Sequence, residues 1–309
     1  MHHPFLVFAS PCYQYLQDEI CLKGGYEKGI IEFRRFTDGE HYLRIDSNVS
    51  GRDVVVIGST LPGNHFLEFY DLASGLVQYG ARSLTLVLPY YSYSTMERAT
   101  RFGDVVTAKT RARMLSSLPQ ASLSNKIVMI DLHSEGIPHY FEGTLRPVHI
   151  YASEVISEVA KSWAGSEFVL ASTDAGRAKW VESLASKLGV EPAFLLKKRL
   201  GDEKTKVVAP ASPIKDKSVV IYDDMIRSGN SLIEAAKAYS NAGAKTIYAL
   251  CTHGIFSSNA ISRLRDSSLF KKIMTTNTVP GTEKINDKLI EVRSICPMIV
   301  EYLHGQEGF

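Results

Sequence analysis

The chain has 309 residues, room for two domains of about 150 residues each. Hydrophobic residues make up 45% and charged residues 22%, a globular balance that excludes disorder. With 35 Lys and Arg against 33 Asp and Glu, the net charge of +2 lacks the basic excess of a nucleic-acid binder.

In chain order, apolar runs of strand length alternate with stretches of helical spacing. Strands are predicted at Leu6–Ala9, Val54–Gly58, Leu84–Pro89 and Ile127–Asp131. Helices are predicted at Phe66–Tyr79, stopped by Gly80, and at Lys109–Leu118. The second half repeats the alternation. Its strands are Phe168–Ala171, Ala193–Leu196, Ser218–Tyr222 and Thr246–Cys251; its helices are Ala178–Leu188 and Leu232–Ala242, closed by Gly189 and Gly243. This predicts βαβ units and mostly parallel sheets, in two α/β domains of similar plan meeting near residue 150. No apolar run nears the roughly 20 residues of a membrane helix, so no membrane partner is expected. The opening Met1-His2-His3-Pro4 has no charged n-region before an apolar stretch, so no signal peptide is expected. Cys12, Cys21, Cys251 and Cys296 show no CxxC or metal-finger spacing, which predicts reduced thiols and a cytoplasmic protein.

Open α/β sheets bind ligands beyond the carboxyl ends of their strands, so the residues after each strand are the candidates. Val219–Asp224 is an apolar strand ending in two acids, followed by a small polar loop and a helix. Backbone N–H groups of Ser228, Gly229, Asn230 and Ser231 would cradle a phosphate at the helix N-terminus. Asp223 and Asp224 would then accept hydrogen bonds from ribose hydroxyls. The bland alternative is a strand–turn–helix capped by Asn230 or Ser231. His133, after the strand that ends at Asp131, reads as a metal or phosphate ligand, or as a structural histidine. Asp174, in the turn after Phe168–Ala171, reads as a Mg²⁺ ligand or a helix cap. Lys197-Lys198-Arg199 reads as cations closing over phosphates, or as a solvated run. Phe36, Asp38 and Glu40 could stack on and bind a base, or simply form a hairpin turn.

Together these motifs closely resemble the ribose-phosphate pyrophosphokinase family. Phe36-Thr37-Asp38-Gly39-Glu40 is similar to the family's F-S-D-G-E, and Asn64–Glu68 to its N-D-x-L-M-E. Asp131-Leu132-His133, Asp174-Ala175-Gly176, Lys197-Lys198-Arg199, Thr252-His253-Gly254 and Thr276-Asn277-Thr278 follow in the family's order. The resemblance implies two tandem type I phosphoribosyltransferase-like domains with mostly parallel sheets. The first would span residues 1–148, joined by 300–309, and the second 149–299. It implies transfer of the β,γ-pyrophosphoryl group of ATP, with Mg²⁺, to the C1 hydroxyl of ribose 5-phosphate. Lys197 and Arg199 would be catalytic. Phe36, Asp38, Glu40 and His133 would bind ATP, the first three from a neighbouring subunit of a homo-oligomer, a dimer or hexamer. His133 and Asp174 would hold the metal. Asp174, Asp223, Asp224, Arg227 and Ser228–Ser231 would bind the ribose phosphate.

Three departures stand out. The family's A-R-Q-D is here Ser94-Thr95-Met96-Glu97, leaving Arg98 or Arg101 to replace the ATP-binding Arg. Arg227 stands where the family has an acid, and Arg177 where it has a Gly. Asn230 replaces a loop Gly and would tolerate left-handed backbone. The two arginines would suit a second phosphate, as in an ADP-ribose acceptor. A non-catalytic regulatory subunit and a phosphoribosyltransferase are the remaining readings.

Overall fold

The computed structural model describes residues 4–200, 204–208 and 214–306. It divides into two compact units, Met1–Tyr151 with Cys296–Phe309, and Ala152–Ile295. The sequence reading put these junctions a few residues away, at 148/149 and 299/300.

The first unit runs β1 (Leu6–Ala9), α1 (Gln14–Gly24), β2 (Glu27–Lys28), β3 (Ile31–Arg35), β4 (His41–Ile45), β5 (Asp53–Ile57), α2 (Gly63–Gln78), β6 (Ser83–Leu88), α3 (Thr107–Ser116), β7 (Ser124–Ile130) and β8 (Leu145–Ile150). Its six-stranded sheet has the order β2-β1-β5-β6-β7-β8, and every pair is parallel. Every residue of β6 and all but the first of β5 are buried, and apart from Ser83 and Thr85 the buried ones are apolar, as suits parallel strands covered on both faces. Phe66, Phe69, Leu72 and Leu76 of α2 pack on this sheet beside Val54, Val56 and Leu86.

The second unit contains α4 (Ser153–Ala164), β9 (Phe168–Ser172), α5 (Ala178–Leu188), β10 (Glu191–Ala193), β11 (Leu196–Leu200), β12 (Lys204–Val208), β13 (Ser218–Ile226), α6 (Asn230–Asn241), β14 (Thr246–Gly254), α7 (Ala260–Asp266), β15 (Lys272–Thr276) and β16 (Ile290–Arg293). Its parallel sheet is β10-β9-β13-β14-β15-β16. Counted within each unit, the two sheets share one strand order. Both also carry an antiparallel hairpin, β3–β4 or β11–β12, between the edge strand and the third strand of the sheet. The two halves are therefore copies of one plan, with the strand order reversing beside β1 in the first and beside β9 in the second. Such a reversal opens the crevice where α/β sheets bind ligands.

The last helix, α8 (Cys296–His304), belongs to the first unit. It lies on α1: the His304 ring meets Tyr26 edge-on at 5.6 Å, and Lys126 Nζ donates to Gln306 Oε1 at 2.6 Å. None of the four cysteines is in a disulfide. Among the described residues no helix is long and apolar enough to cross a membrane.

Two sequence expectations change. The predicted strand Ala193–Leu196 is two elements, because β10 stops at Ala193 and Leu196 opens the hairpin. The predicted strand Ser218–Tyr222 continues through both acids to Ile226, since β14 supplies ladder partners as far as Gly254.

Candidate functional site

In the second unit, the ends of β9 and β13 lie side by side with Tyr222 opposite Ser172. Tyr239 of α6 donates its hydroxyl to the Ser172 carbonyl at 2.9 Å, tying the helix after β13 to the end of β9. Thr173 Oγ1 donates to Asp223 Oδ2 at 2.8 Å, and the Asp224 N–H to Asp223 Oδ1 at 3.0 Å. Asp174 is half-buried and accepts the Gly176 N–H on Oδ1 at 2.9 Å, closing the turn.

The two acids differ. Asp223 is half-buried, and its carboxyl is pushed well above the usual range by burial first and by Asp224 second. Asp224 is fully buried, and both its oxygens are taken by Arg177, Oδ1 from Nε at 3.1 Å and Oδ2 from Nη2 at 2.6 Å. Two residues bear on the sequence reading: Arg177, expected to meet a second substrate phosphate, and Asp224, expected to meet a ribose hydroxyl, face each other in this arrangement. Arg227 is exposed.

The loop after β13 turns on Gly229, at φ 78° and ψ −5°. Gly229 is the N-cap of α6, with no side-chain cap bond, while Asn230 is the first helical residue. Neither Asn230 nor Ser231 is the cap, and Asn230 does not carry the left-handed turn, because glycine takes that conformation at the least cost. The Asn230 N–H donates to Ser228 Oγ at 3.4 Å, and the N–H groups after it in the first turn are open to an anion.

Beside the loop, Thr252 and His253 of Thr252-His253-Gly254 and Thr276 and Thr278 of Thr276-Asn277-Thr278 form a buried polar network. Thr276 Oγ1 and Thr278 Oγ1 both donate to the Thr252 carbonyl, at 2.6 and 2.9 Å, and His253 Nδ1 lies 2.9 Å from Thr278 Oγ1. These motifs brace β14 against β15. Their signal in the sequence was a polar triplet ending each apolar strand. Trp180 stacks on Tyr222 at 3.8 Å and Cys251 is fully buried, its thiol pushed up to about 12 by burial, so it is inert. The side chains of Lys197 and Arg199 lie outside the described residues; their backbone pairs with Val207 and Thr205 in the hairpin.

In the first unit, Phe36, Asp38 and Glu40 are exposed on the turn of the β3–β4 hairpin. Phe36 N–H donates to the Glu40 carbonyl at 2.8 Å, and the Glu40 N–H to Asp38 Oδ1 at 3.1 Å. Buried Glu68 of α2 holds Arg35, the last residue of β3 before this turn. The signal for Glu68 in the sequence is an acid at helical spacing with the apolar face of Phe66, Phe69 and Leu72.

After β7, Asp131 takes φ 39° and the Leu132 N–H donates to His149 Nε2 at 2.9 Å, which leaves His133 exposed at the loop. Arg98 and Arg101 are exposed in the loop after β6, Arg98 beside Glu97 at 3.5 Å. Arg111 of α3 was not singled out from the sequence. It lies over the rings of Phe66 and Tyr93 at 5.1 and 5.5 Å, a cation next to the same loop.

His133 and Asp174 lie in different units. Among the described residues no group of three or more His, Cys, Asp or Glu is placed to hold a metal ion. Mg²⁺ does not need such a cage, because it takes one or two carboxylates and fills its octahedron with water and substrate phosphates. Asp174 fits that use as a single carboxylate.

The family described as the N-terminal domain of ribose phosphate pyrophosphokinase matches residues 5–118, and the phosphoribosyl synthetase-associated domain matches residues 184–306. A ribose-phosphate pyrophosphokinase of Synechococcus elongatus is 31% identical over 303 residues, 97% of this chain and 90% of the relative. That of Bacillus caldolyticus is 30% identical over 301 residues, covering 97% and 93%. The crystal structure of phosphoribosylpyrophosphate synthetase from Mycobacterium smegmatis superposes with a TM-score of 0.87 at 27% identity, covering 98% of each chain. With its two α/β units of type I phosphoribosyltransferase-like fold and relatives matched over nearly their whole length, this chain belongs to the ribose-phosphate pyrophosphokinase family.

Proposed function

We propose that the protein transfers the β,γ-pyrophosphoryl group of ATP to the C1 hydroxyl of ribose 5-phosphate. The C1 oxygen forms a bond to the β-phosphorus, the bond from that phosphorus to the α-phosphate's bridging oxygen breaks, AMP leaves, and the hydroxyl proton is lost. The observation that carries this reading is the near-full-length identity to ribose-phosphate pyrophosphokinases. The β13–α6 loop supports it from the side of the chemistry.

In this reading the 5-phosphate lies on the N–H groups that open α6, where the helix dipole favours an anion. Asp223 receives a sugar hydroxyl, and a carboxylate held by Thr173 is already oriented for it. Lys197 and Arg199 neutralise charge on the transferring group. Phe36 offers an exposed ring for the adenine of a neighbouring subunit's ATP in a homo-oligomer, with Asp38 and Glu40 beside it. Asp174 would hold Mg²⁺ as a single carboxylate in the second unit, and His133 is the candidate ligand in the first. When bound, the ion draws charge from the phosphate oxygens. Four cysteines without a disulfide support a cytoplasmic location.

A larger acceptor such as ADP-ribose loses one of its two arginines, because Arg177 is committed to Asp224. A non-catalytic subunit and a PRPP-consuming transferase both give way to the pyrophosphokinase relatives. The test is a mass-spectrometric assay of the purified protein with ATP, Mg²⁺ and either ribose 5-phosphate or ADP-ribose. AMP and a pyrophosphorylated ribose 5-phosphate are expected; product from ADP-ribose alone would overturn the assignment of acceptor.

A further inference from the structure

The acid pair after β13 is asymmetric in a way that bears on the sugar. The Asp224 side chain is 2% exposed, and its two oxygens accept from the two arms of one guanidinium. Arg177 is itself only 14% exposed, so the fork is walled in by protein. It arises in the turn just past Asp174, on the lip of the crevice. It does no work as a helix cap, since it stands at the N-cap of α5 without a side-chain cap bond. Its partner is Asp224, while Asp223 is left half-buried, oriented by Thr173 and the Asp224 N–H.

We propose that Arg177 is a specificity-determining residue. By taking both oxygens of Asp224, it leaves Asp223 as the one carboxylate of the pair that meets the sugar. The enzyme's demand for one of the two ring hydroxyls of its acceptor is thereby relaxed. The inference rests on the pyrophosphoryl-transfer reading above. A ribose diol presents two hydroxyl donors. To reach Asp224, one of them must displace a bidentate, charge-assisted pair, which is stronger than any bond a neutral hydroxyl returns. A hydroxyl bonded to an ionised acceptor normally selects against the deoxy sugar by about tenfold or more. That selection is missing at whichever hydroxyl Asp224 would otherwise have read.

The experiment compares kcat/KM for ribose 5-phosphate, 2-deoxyribose 5-phosphate and 3-deoxyribose 5-phosphate in the wild type and in R177G, read as AMP release. The wild type is expected to use one of the two deoxy sugars within about tenfold of ribose 5-phosphate. R177G opens Asp224 and is expected to lower the relative kcat/KM of that same sugar by about tenfold or more. Each ratio is internal to one enzyme, so loss of stability or of active fraction cancels. R177K, whose ammonium cannot fork both oxygens, is expected to fall between them and carries the same comparison should R177G not fold. A wild type that rejects both deoxy sugars overturns the proposal, as do ratios unchanged by either substitution while ribose 5-phosphate is turned over. No AMP from the wild type with any of the three sugars overturns the transfer reading itself, and this inference with it.

Discussion

Gly229→Ala probes the loop that opens α6. Gly229 stands at φ 78°, and a Cβ there would lie 3.1 Å from both Cδ2 and Cγ of Leu264, which is fully buried in α7. Left-handed backbone costs a residue with a Cβ about 1–2 kcal/mol. Leu264 sits in a core with Ile226 and Leu232, so it yields only by overpacking its neighbours, at about 1–3 kcal/mol. The two together amount to about 3 kcal/mol, a fall in Tm of roughly 6–12 °C for a domain of this size. In a Leu264→Ala background the contact is gone and only the backbone part, about 1–2 kcal/mol, should remain. Thermal unfolding of the wild type, both single variants and the double variant measures the coupling. Steady-state kinetics should show a raised KM for ribose 5-phosphate with the KM for ATP unchanged, because only the N–H groups of the loop move. An equal cost in both backgrounds would show that the Leu264 contact plays no part. A cost below about 0.5 kcal/mol would refute the backbone account as well.

Three further outcomes are expected. The Asp223 carboxyl is raised by burial and by Asp224, so its contribution to stability is fully present below the ordinary carboxylate pKa and is lost as pH rises through the raised value. Asp223→Asn should therefore raise Tm relative to the wild type at neutral pH but not below about pH 4, while kcat/KM falls; a Tm difference independent of pH contradicts this. Leu303→Ala removes a fully buried side chain from α8 at a cost of about 2–5 kcal/mol. Hydrogen exchange should quicken in α1 and not in β13, and equal quickening in both units would contradict the docking of α8 on the first. Lys197→Ala should lower kcat by about 10²-fold with little change in KM for ATP, as for a donor that acts in the transition state. A raised KM with kcat intact would assign Lys197 to binding instead.

The parts of the fold legible in the sequence are those coded by neighbours along the chain. Val54–Gly58 and Leu84–Pro89 read as strands because doubly covered strands are apolar at nearly every position. The structure's α5 matches the predicted Ala178–Leu188 because its apolar spacing and Gly189 are local signals. α1 went unread because it buries only Leu16, Gln17 and Ile20, too few for a clear helical stripe, and its partner α8 lies at the far end of the chain. The candidate site was legible in part for the same reason. Strand, acids, small residues and helix follow one another from Val219 to Leu232, so Asp223 and the Gly229 loop could be marked from order alone.

What the sequence by itself determined was an α/β chain of two similar halves and the loops proposed to carry its chemistry, because periodicity and turn residues act over a few positions. Only the tertiary structure decided the shared strand order, the return of α8 to the first unit, and the direction of Arg177. Each depends on a partner remote in sequence: Arg177 finds Asp224 across 47 residues, on the neighbouring strand. A buried carboxylate must be paired, and the residue that pairs it is chosen by which strands lie side by side.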